Sequence, residues 1–428
     1  MDVSTKIIRI LTAVMLLCTV VFCCTGLCYA DDSENYTMED GTVLTYTYQT
    51  AKAVSLTGVT PGEGVEDLVL PGEFDGKRLI EIGEDAFDRC GSLKTLTIPR
   101  TVTYISSSAA FRTRALEGCT SLESITVDEE NPAYFSRDGV LFRYGYDDYG
   151  NADCTKGLMK SLLVFYPPEK PDSYYMIPFG VHDIMDLRSN HLKTLEVPGK
   201  LNNYFYEDPE DLPVLDTVVF YQDSLGFRAD LAKAPQKTIV LGNGNRLSQY
   251  NGREAHIVSF AGSDAESWAE EMGYSFTALP KPKIKFEGIN ENDIIGRFID
   301  DSPTFRVKID SDMPFETASE NEDVAVMDQN GTVTVKKPGT TRLHAYIRYD
   351  GEHLPVDQSF TLVINKVYIL AKKLDYVIES GTRTVQLIPI DQYPDLKLKY
   401  ESEDESKLTV DQNGKVTVLT TKPGRYHV

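Results

Sequence analysis

Four short segments in the middle of the chain place apolar residues at one spacing. LKTLTIP from Leu93, LESITV from Leu122, LKTLEVP from Leu192 and LDTVVF from Leu215 share the frame L-x-x-Φ-x-Φ, where Φ is apolar. The two residues after each leucine are drawn from Lys, Thr, Ser, Glu and Asp. Apolar residues at every second position predict a short strand with one buried face. Ahead of the first two, Ala86, Phe87, Cys90 and Leu93 recur as Ala115, Leu116, Cys119 and Leu122, all displaced by 29 residues. A helical turn is therefore expected before each strand. One such unit cannot cover its own apolar face, whereas stacked units bury a continuous stripe.

The pattern changes after Pro280-Lys281-Pro282-Lys283, read as a linker. FRVKI, VAVMDQNGTVTV, TRLHAYI and FTLVI alternate apolar and polar residues in short runs, which predicts half-buried strands joined by turns. SENEDVAVMDQNGTVTV from Ser319 recurs without a gap as SEDESKLTVDQNGKVTV from Ser402, at an offset of 83 residues. The Asn-Gly pairs Asn330-Gly331 and Asn413-Gly414 predict hairpins with type I′ turns. A Lys-Pro-Gly turn follows each, at Lys337 and Lys422. Many short strands with regular turns read as a β-sandwich, and the duplication reads as two tandem beads.

GEDAFDRCGSLKTLTIP and RALEGCTSLESITV resemble the leucine-rich repeats of BspA-like bacterial surface proteins. So do VEDLVLPGEFDGKRLIEIG from Val65 and NPAYFSRDGVLF from Asn131, the latter as an inserted hairpin. FAGSDAESWAEEMGYSFTAL from Phe260 is similar to the helical cap that ends such arrays. The resemblance spans roughly residues 40–279, and beyond residue 185 MDLRSN and NYFYEDPEDLP replace the recurring turn. The duplicated segment looks like bacterial Ig-like domains of the group 2 type. The resemblance implies a mainly β chain, with a leucine-rich-repeat solenoid of short strands and helical turns followed by Ig-like β-sandwich domains. The expected layout is a signal peptide at 1–30, the solenoid at 31–279, one Ig-like domain at 281–366 and a second at 367–428. Set against the first copy, the second lacks its last strands. Either the chain is a fragment or another chain supplies a strand.

Composition narrows the class. The chain has 428 residues, 41% of them hydrophobic, with 24 Tyr and one Trp, as expected of folded, strand-rich domains. Lys6 and Arg9, an apolar run from Ile10 to Leu27, and Cys28-Tyr29-Ala30 read as a secretory signal cleaved after Ala30. The run is also long enough for an uncleaved membrane anchor. A formal net charge of −22 opposes binding to nucleic acid or an anionic membrane. Of seven cysteines only Cys90, Cys119 and Cys154 lie outside the signal, so this is not a disulfide scaffold. Cys90 and Cys119 fill the same slot of consecutive units and are expected side by side as small buried apolar residues; a disulfide between neighbouring turns is the alternative. Cys154 falls at the tip of the inserted hairpin.

No nucleophile elbow, P-loop, zinc-protease or dinucleotide motif is present, and the six histidines are scattered. The reading is non-catalytic, with no cofactor and no metal. Acidic pairs such as Asp147-Asp148, Glu210-Asp211 and Asp300-Asp301 read as solvated surface or turn residues. Two aromatic clusters are the candidate binding residues: Tyr144, Tyr146 and Tyr149 at the hairpin tip, and Tyr204, Phe205 and Tyr206 in a polar loop. The family implies a secreted or cell-surface protein adhering to an extracellular protein or glycan through its repeats. The alternative is a set of accessory binding modules belonging to a larger exported cell-wall or polysaccharide-active enzyme.

Overall fold

A computed structural model describes residues 33–107, 113–145, 161–201, 205–207, 212–222, 227–229, 237–247, 254–290, 293–298, 303–365, 384–386, 402, 404–411 and 415–420. The segment read as a signal peptide, Tyr146, Tyr149, Tyr204 and Cys154 lie outside them, as do the Asn413-Gly414 turn and the second Lys-Pro-Gly. The described residues are mainly β, in many short strands. The chain divides into two compact units: residues 1–143 with 163–172 and 185–191, and residues 144–162 with 173–184 and 192–428.

In the first unit two parallel ladders run through successive repeats. Asp67–Val69, Thr95–Ile98 and Ser124–Val127 pair in parallel with Leu68, Leu96 and Ile125 in one column. Ala53–Thr60, Lys77–Ile82 and Tyr104–Ile105 form the second, with Leu56, Ile82 and Ile105 in register. Leu93 and Leu122 are fully buried at the same place in consecutive rungs. The backbone repeats with them: Lys94 N–H donates to Glu66 O, and Glu123 N–H donates to Lys94 O. The antiparallel strands Glu34–Thr37 and Val43–Thr50 close the open edge of the second ladder, a cover that the repeat pattern did not announce.

The connecting segments are tight turns rather than regular helix. Among the described residues of this unit only Arg114–Leu116 winds a single 3-10 turn, and Asp85 adopts a left-handed φ of 60°. Phe87 N–H donates to Ala115 O at 3.2 Å, so the two turns stack. Cys90 and Cys119 are buried thiols, and Cys90 Sγ donates to Val59 O at 3.6 Å. Burial pushes the Cys90 thiol up to about 12 and raises that of Cys119 also. The inserted hairpin pairs Tyr134–Arg137 with Val140–Arg143 around Asp138 and Gly139, both at positive φ. That is the type I′ turn, which puts two left-handed residues at the apex.

In the second unit one parallel ladder runs through six strands: Tyr174–Met176, Thr194–Val197, Thr217–Phe220, Lys237–Leu241, Ala255–Ser259 and Ser275–Ala278. Its inner column is Tyr175, Leu195, Val218, Ile239, Ile257 and Phe276. Leu192 and Leu215 are buried just before consecutive rungs, repeating the placement of Leu93 and Leu122. The ladder stays in register beyond residue 185 although the recurring turn is lost there, because the strand frame alone carries the stacking. The helix Asp264–Met272 precedes the last rung. Ser263 Oγ accepts from Glu266 N–H, Glu266 Oε2 accepts from Gly262 N–H, and Gly273 ends the helix at φ 72°.

Residues 281–365 then build antiparallel layers around one core. Gly339–Ile347 pairs with Val356–Asn365 and with Glu316–Ser319, while Ile294–Phe298 adds a parallel edge strand. Thr304–Arg306, Thr332–Val335 and Ala325–Met327 form a second sheet, and Ile284–Phe286 pairs with Ile309–Ser311. Phe286, Val324, Val333, Leu343 and Phe360 meet in the core.

The hairpin at Asp328–Thr332 corrects the sequence reading. Gly331 alone is left-handed, at φ 75°, and Asn330 is not. Gly331 N–H donates to Asp328 O at 2.9 Å and Asp328 N–H donates to Thr332 O at 3.0 Å, a type I turn followed by a glycine bulge. Asp328 Oδ1 accepts from the N–H groups of Asn330 and Thr332 at 2.9 and 2.8 Å. These two bonds reward the negative φ of a type I turn, so Asp-Gln-Asn-Gly makes the longer loop.

The same unit returns in the duplicated segment. Thr384–Gln386, Lys415–Val418 and Leu408–Val410 form a three-stranded sheet in the same order. Met327 faces Val333 as Val410 faces Val416, at the offset of 83 residues. Val324 N–H donates to Asn321 O as Lys407 N–H donates to Asp404 O. The repeated sequence specifies a repeated register.

Candidate binding site

A strand packed on one side alternates buried and exposed residues, and the four sequence segments share that frame. In the first unit the outward column is Val69, Thr97 and Thr126, and Val69 is 61% exposed. In the second unit the matching column is Met176, Glu196, Val219, Val240, Val258 and Thr277. Glu196, Val219, Val240 and Val258 are buried. The three valines are covered by Tyr346 and Leu354 of the antiparallel layers, with Phe179 and Tyr221 in the same cluster and Ala318 and Tyr349 against it. The expectation of a separate bead beyond a linker is therefore corrected. Leu354 N–H donates to Pro280 O at 3.0 Å, and the bead packs on the outer face of the ladder.

Strand Gly339–Ile347 shows how one element serves both cores. Leu343, Ala345 and Ile347 point into the core of the antiparallel layers, while on the opposite face Tyr346 meets the ladder and His344 meets Phe179. His344 is 3% exposed, its ring stacked on Phe179 at 4.0 Å between centroids. Its Nδ1 lies 3.0 Å from Asp357 Oδ2 and its Nε2 lies 3.1 Å from Glu320 Oε1. Burial alone would lower the imidazole pKa, but the two carboxylates overcome it and hold it at about 9. Both ring nitrogens face acceptors, so the imidazolium satisfies the site better than either neutral tautomer. Neither ring nitrogen is left to activate a nucleophile, and the triad is an ion cluster that ties strands together. Among the described residues no group of three or more His, Cys, Asp or Glu is arranged to hold a metal.

A second polar cluster lies beside it. Glu196, 1% exposed, accepts from Tyr221 Oη at 2.7 Å, and burial raises its carboxyl pKa. Arg348 stacks its guanidinium on Tyr174 at 4.6 Å and faces Glu316, which also accepts from Tyr346 Oη at 2.9 Å.

Where the ladder's strand ends meet the sandwich, a pocket of about 380 Å³ opens. Lys200, Gln222, Asn243 and Asn245 enter it from the segments following three consecutive rungs. Lys281, Gln358 and Asp357 line it from the other side, and Gln222 Nε2 donates to Asp357 Oδ2 at 3.2 Å. Gly242 sets the spacing. A Cβ there would stand 2.4 Å from Pro355 O, so the backbones approach this closely only at glycine.

Of the proposed aromatic residues, Tyr144, Phe205 and Tyr206 are among the described residues. Tyr144 is half-buried, and burial, with the charge of Asp323, raises its pKa. Phe205 and Tyr206 lie in a short strand, Phe205–Glu207, paired in parallel with Phe227–Ala229, rather than in a loop. The pocket was missed, although a signal for the covered face was present. The outward position is Thr in LTI and ITV but Glu or Val in LEV, VVF and IVL.

No family model matches the sequence, and no curated protein matches it. Similar solved structures include a leucine-rich repeat protein from Eubacterium ventriosum, 17% identical over 41% of this chain, at a TM-score of 0.23. The chain spans about half the length of that protein, 48%. The pneumococcal vaccine antigen PcpA is 13% identical over 57% of this chain and 98% of its own, at a TM-score of 0.20.

Proposed function

We propose that the chain is a non-catalytic binding protein, exported to the cell surface or beyond, of the BspA-like leucine-rich-repeat type with group 2 Ig-like domains. Its ligand is an extracellular protein or glycan held by the repeat region. The observation that carries this reading is the six-rung ladder whose outer face is buttressed by the first sandwich, leaving consecutive strand ends to converge on one polar pocket. A ladder in fixed register presents side chains at strand spacing without further ordering cost, which favours recognition. The Ig-like copy serves as a brace for the repeats as well as a spacer. The test is an array of extracellular-matrix proteins and glycans probed with the full chain. Saturable binding to at least one surface molecule is expected; none at micromolar protein would overturn the reading.

A further inference from the structure

The pocket at the strand ends has a charge and donor pattern of its own. The chain as a whole carries a formal net charge of −22, yet the described lining of the pocket holds two lysines, Lys200 and Lys281, against one carboxylate, Asp357. That carboxylate is engaged from behind by His344 Nδ1 at 3.0 Å and by Gln222 Nε2 at 3.2 Å. Lys200 is exposed and has no carboxylate partner among the described residues. Lys281 lies over the Phe260 ring at 5.3 Å, its ammonium at the solvent edge. The remaining polar side chains of the described lining are the amides of Gln222, Asn243, Asn245 and Gln358, together with Tyr221, whose hydroxyl is given to Glu196.

Primary amides both donate and accept, which matches vicinal hydroxyls, and ammonium groups match a carboxylate. An isolated phosphate is served better by an arginine fork, and no arginine is among the described lining residues. The volume, about 380 Å³, falls in the range of small-ligand sites. We propose that the pocket binds a carboxylated sugar unit of an acidic glycan. Lys200 and Lys281 take the carboxylate, and the amides take the ring hydroxyls. The proposal rests on the binding-protein reading and specifies its ligand class and place.

Two sources share this chemistry, uronic acids and sialic acids, and calorimetry with the full chain separates them. The probes are trigalacturonate, 3′-sialyllactose, lactose and inorganic phosphate. One carboxylated sugar is expected to bind at least tenfold more tightly than lactose or phosphate, and which one identifies the source. The Lys200→Gln/Lys281→Gln double variant keeps most of both side-chain stems and should lose roughly tenfold or more in affinity with an unchanged melting temperature. The proposal is overturned if neither carboxylated sugar binds, if lactose or phosphate binds as well, or if the double variant binds unchanged. A ligand found on the array that binds wild type and double variant equally would remove this pocket while leaving the binding reading intact.

Discussion

Single residues carry the parts of the structure that the hydrophobic pattern cannot encode. Gly331 is left-handed, and a Cβ there would stand 2.0 Å from Val307 O. Gly331→Ala should cost about 2 kcal/mol or more in urea denaturation, through strain and contact together. An unchanged midpoint would contradict the bulged turn. Asp138-Gly139 and Asn330-Gly331 are both X-Gly signals, but only the first gives a type I′ turn. The difference comes from Asp328, whose carboxylate accepts two backbone N–H groups in the longer loop. Residue type at the apex does not reveal this; the residue two before it does.

His344 makes stability depend on pH above neutrality. Its folded pKa of about 9 lies above the ordinary value near 6.5. Its contribution to stability is therefore complete below about pH 6.5 and is lost as pH rises through about 9. Asp357 and Glu320 are the charges that face it, with Gln222 bonded to Asp357. His344→Gln should destabilise by roughly 3 kcal/mol at neutral pH, because two buried carboxylates lose their cation. It should also flatten the fall in melting temperature between pH 6.5 and 9. An equal slope in wild type and variant would show that another group titrates there. The cysteine pair is inert by comparison. With the Cys90 thiol pushed up to about 12, iodoacetamide at pH 8 should leave Cys90 and Cys119 unlabelled in the fold and label both in urea.

At the scale of elements, the strand frame was legible and its second face was not. Leu93, Leu122, Leu192 and Leu215 mark the rungs because burial on one side demands a period of two. The frame predicts one buried face, yet Val219 and Val240 on the other face are buried beneath the antiparallel layers. The same holds for the TRLHAYI strand, where His344 and Tyr346 occupy the face read as polar. A strand buried on both sides by different partners loses its alternation, and one aromatic or histidine among polar residues is the trace that remains. Val219→Thr or Val240→Thr should each cost about 1–3 kcal/mol by burying a hydroxyl against the sandwich. Thr97→Val, on the uncovered column of the first unit, should change stability by less than about 0.5 kcal/mol. Urea denaturation of the three variants distinguishes a covered face from an open one.

In the second unit, the antiparallel layers of residues 281–365 pack on the ladder and are not a bead on a tether. The sequence pointed to a tether, since Pro280-Lys281-Pro282-Lys283 has the composition of a linker. The structure packs the same residues instead, with Pro280 O accepting from Leu354 N–H and Lys281 lining the pocket. The rungs were readable from local repeats, while docking depended on residues as far apart as Phe179 and Tyr346, which no local pattern links. Hydrogen exchange of the full chain, followed by mass spectrometry, tests this most directly. Strands Thr217–Phe220, Lys237–Leu241 and Gly339–Ile347 should open together with a common protection, and Val240→Asp should speed exchange in all three. Release of Gly339–Ile347 at its own rate, unaffected by Val240→Asp, would contradict the account.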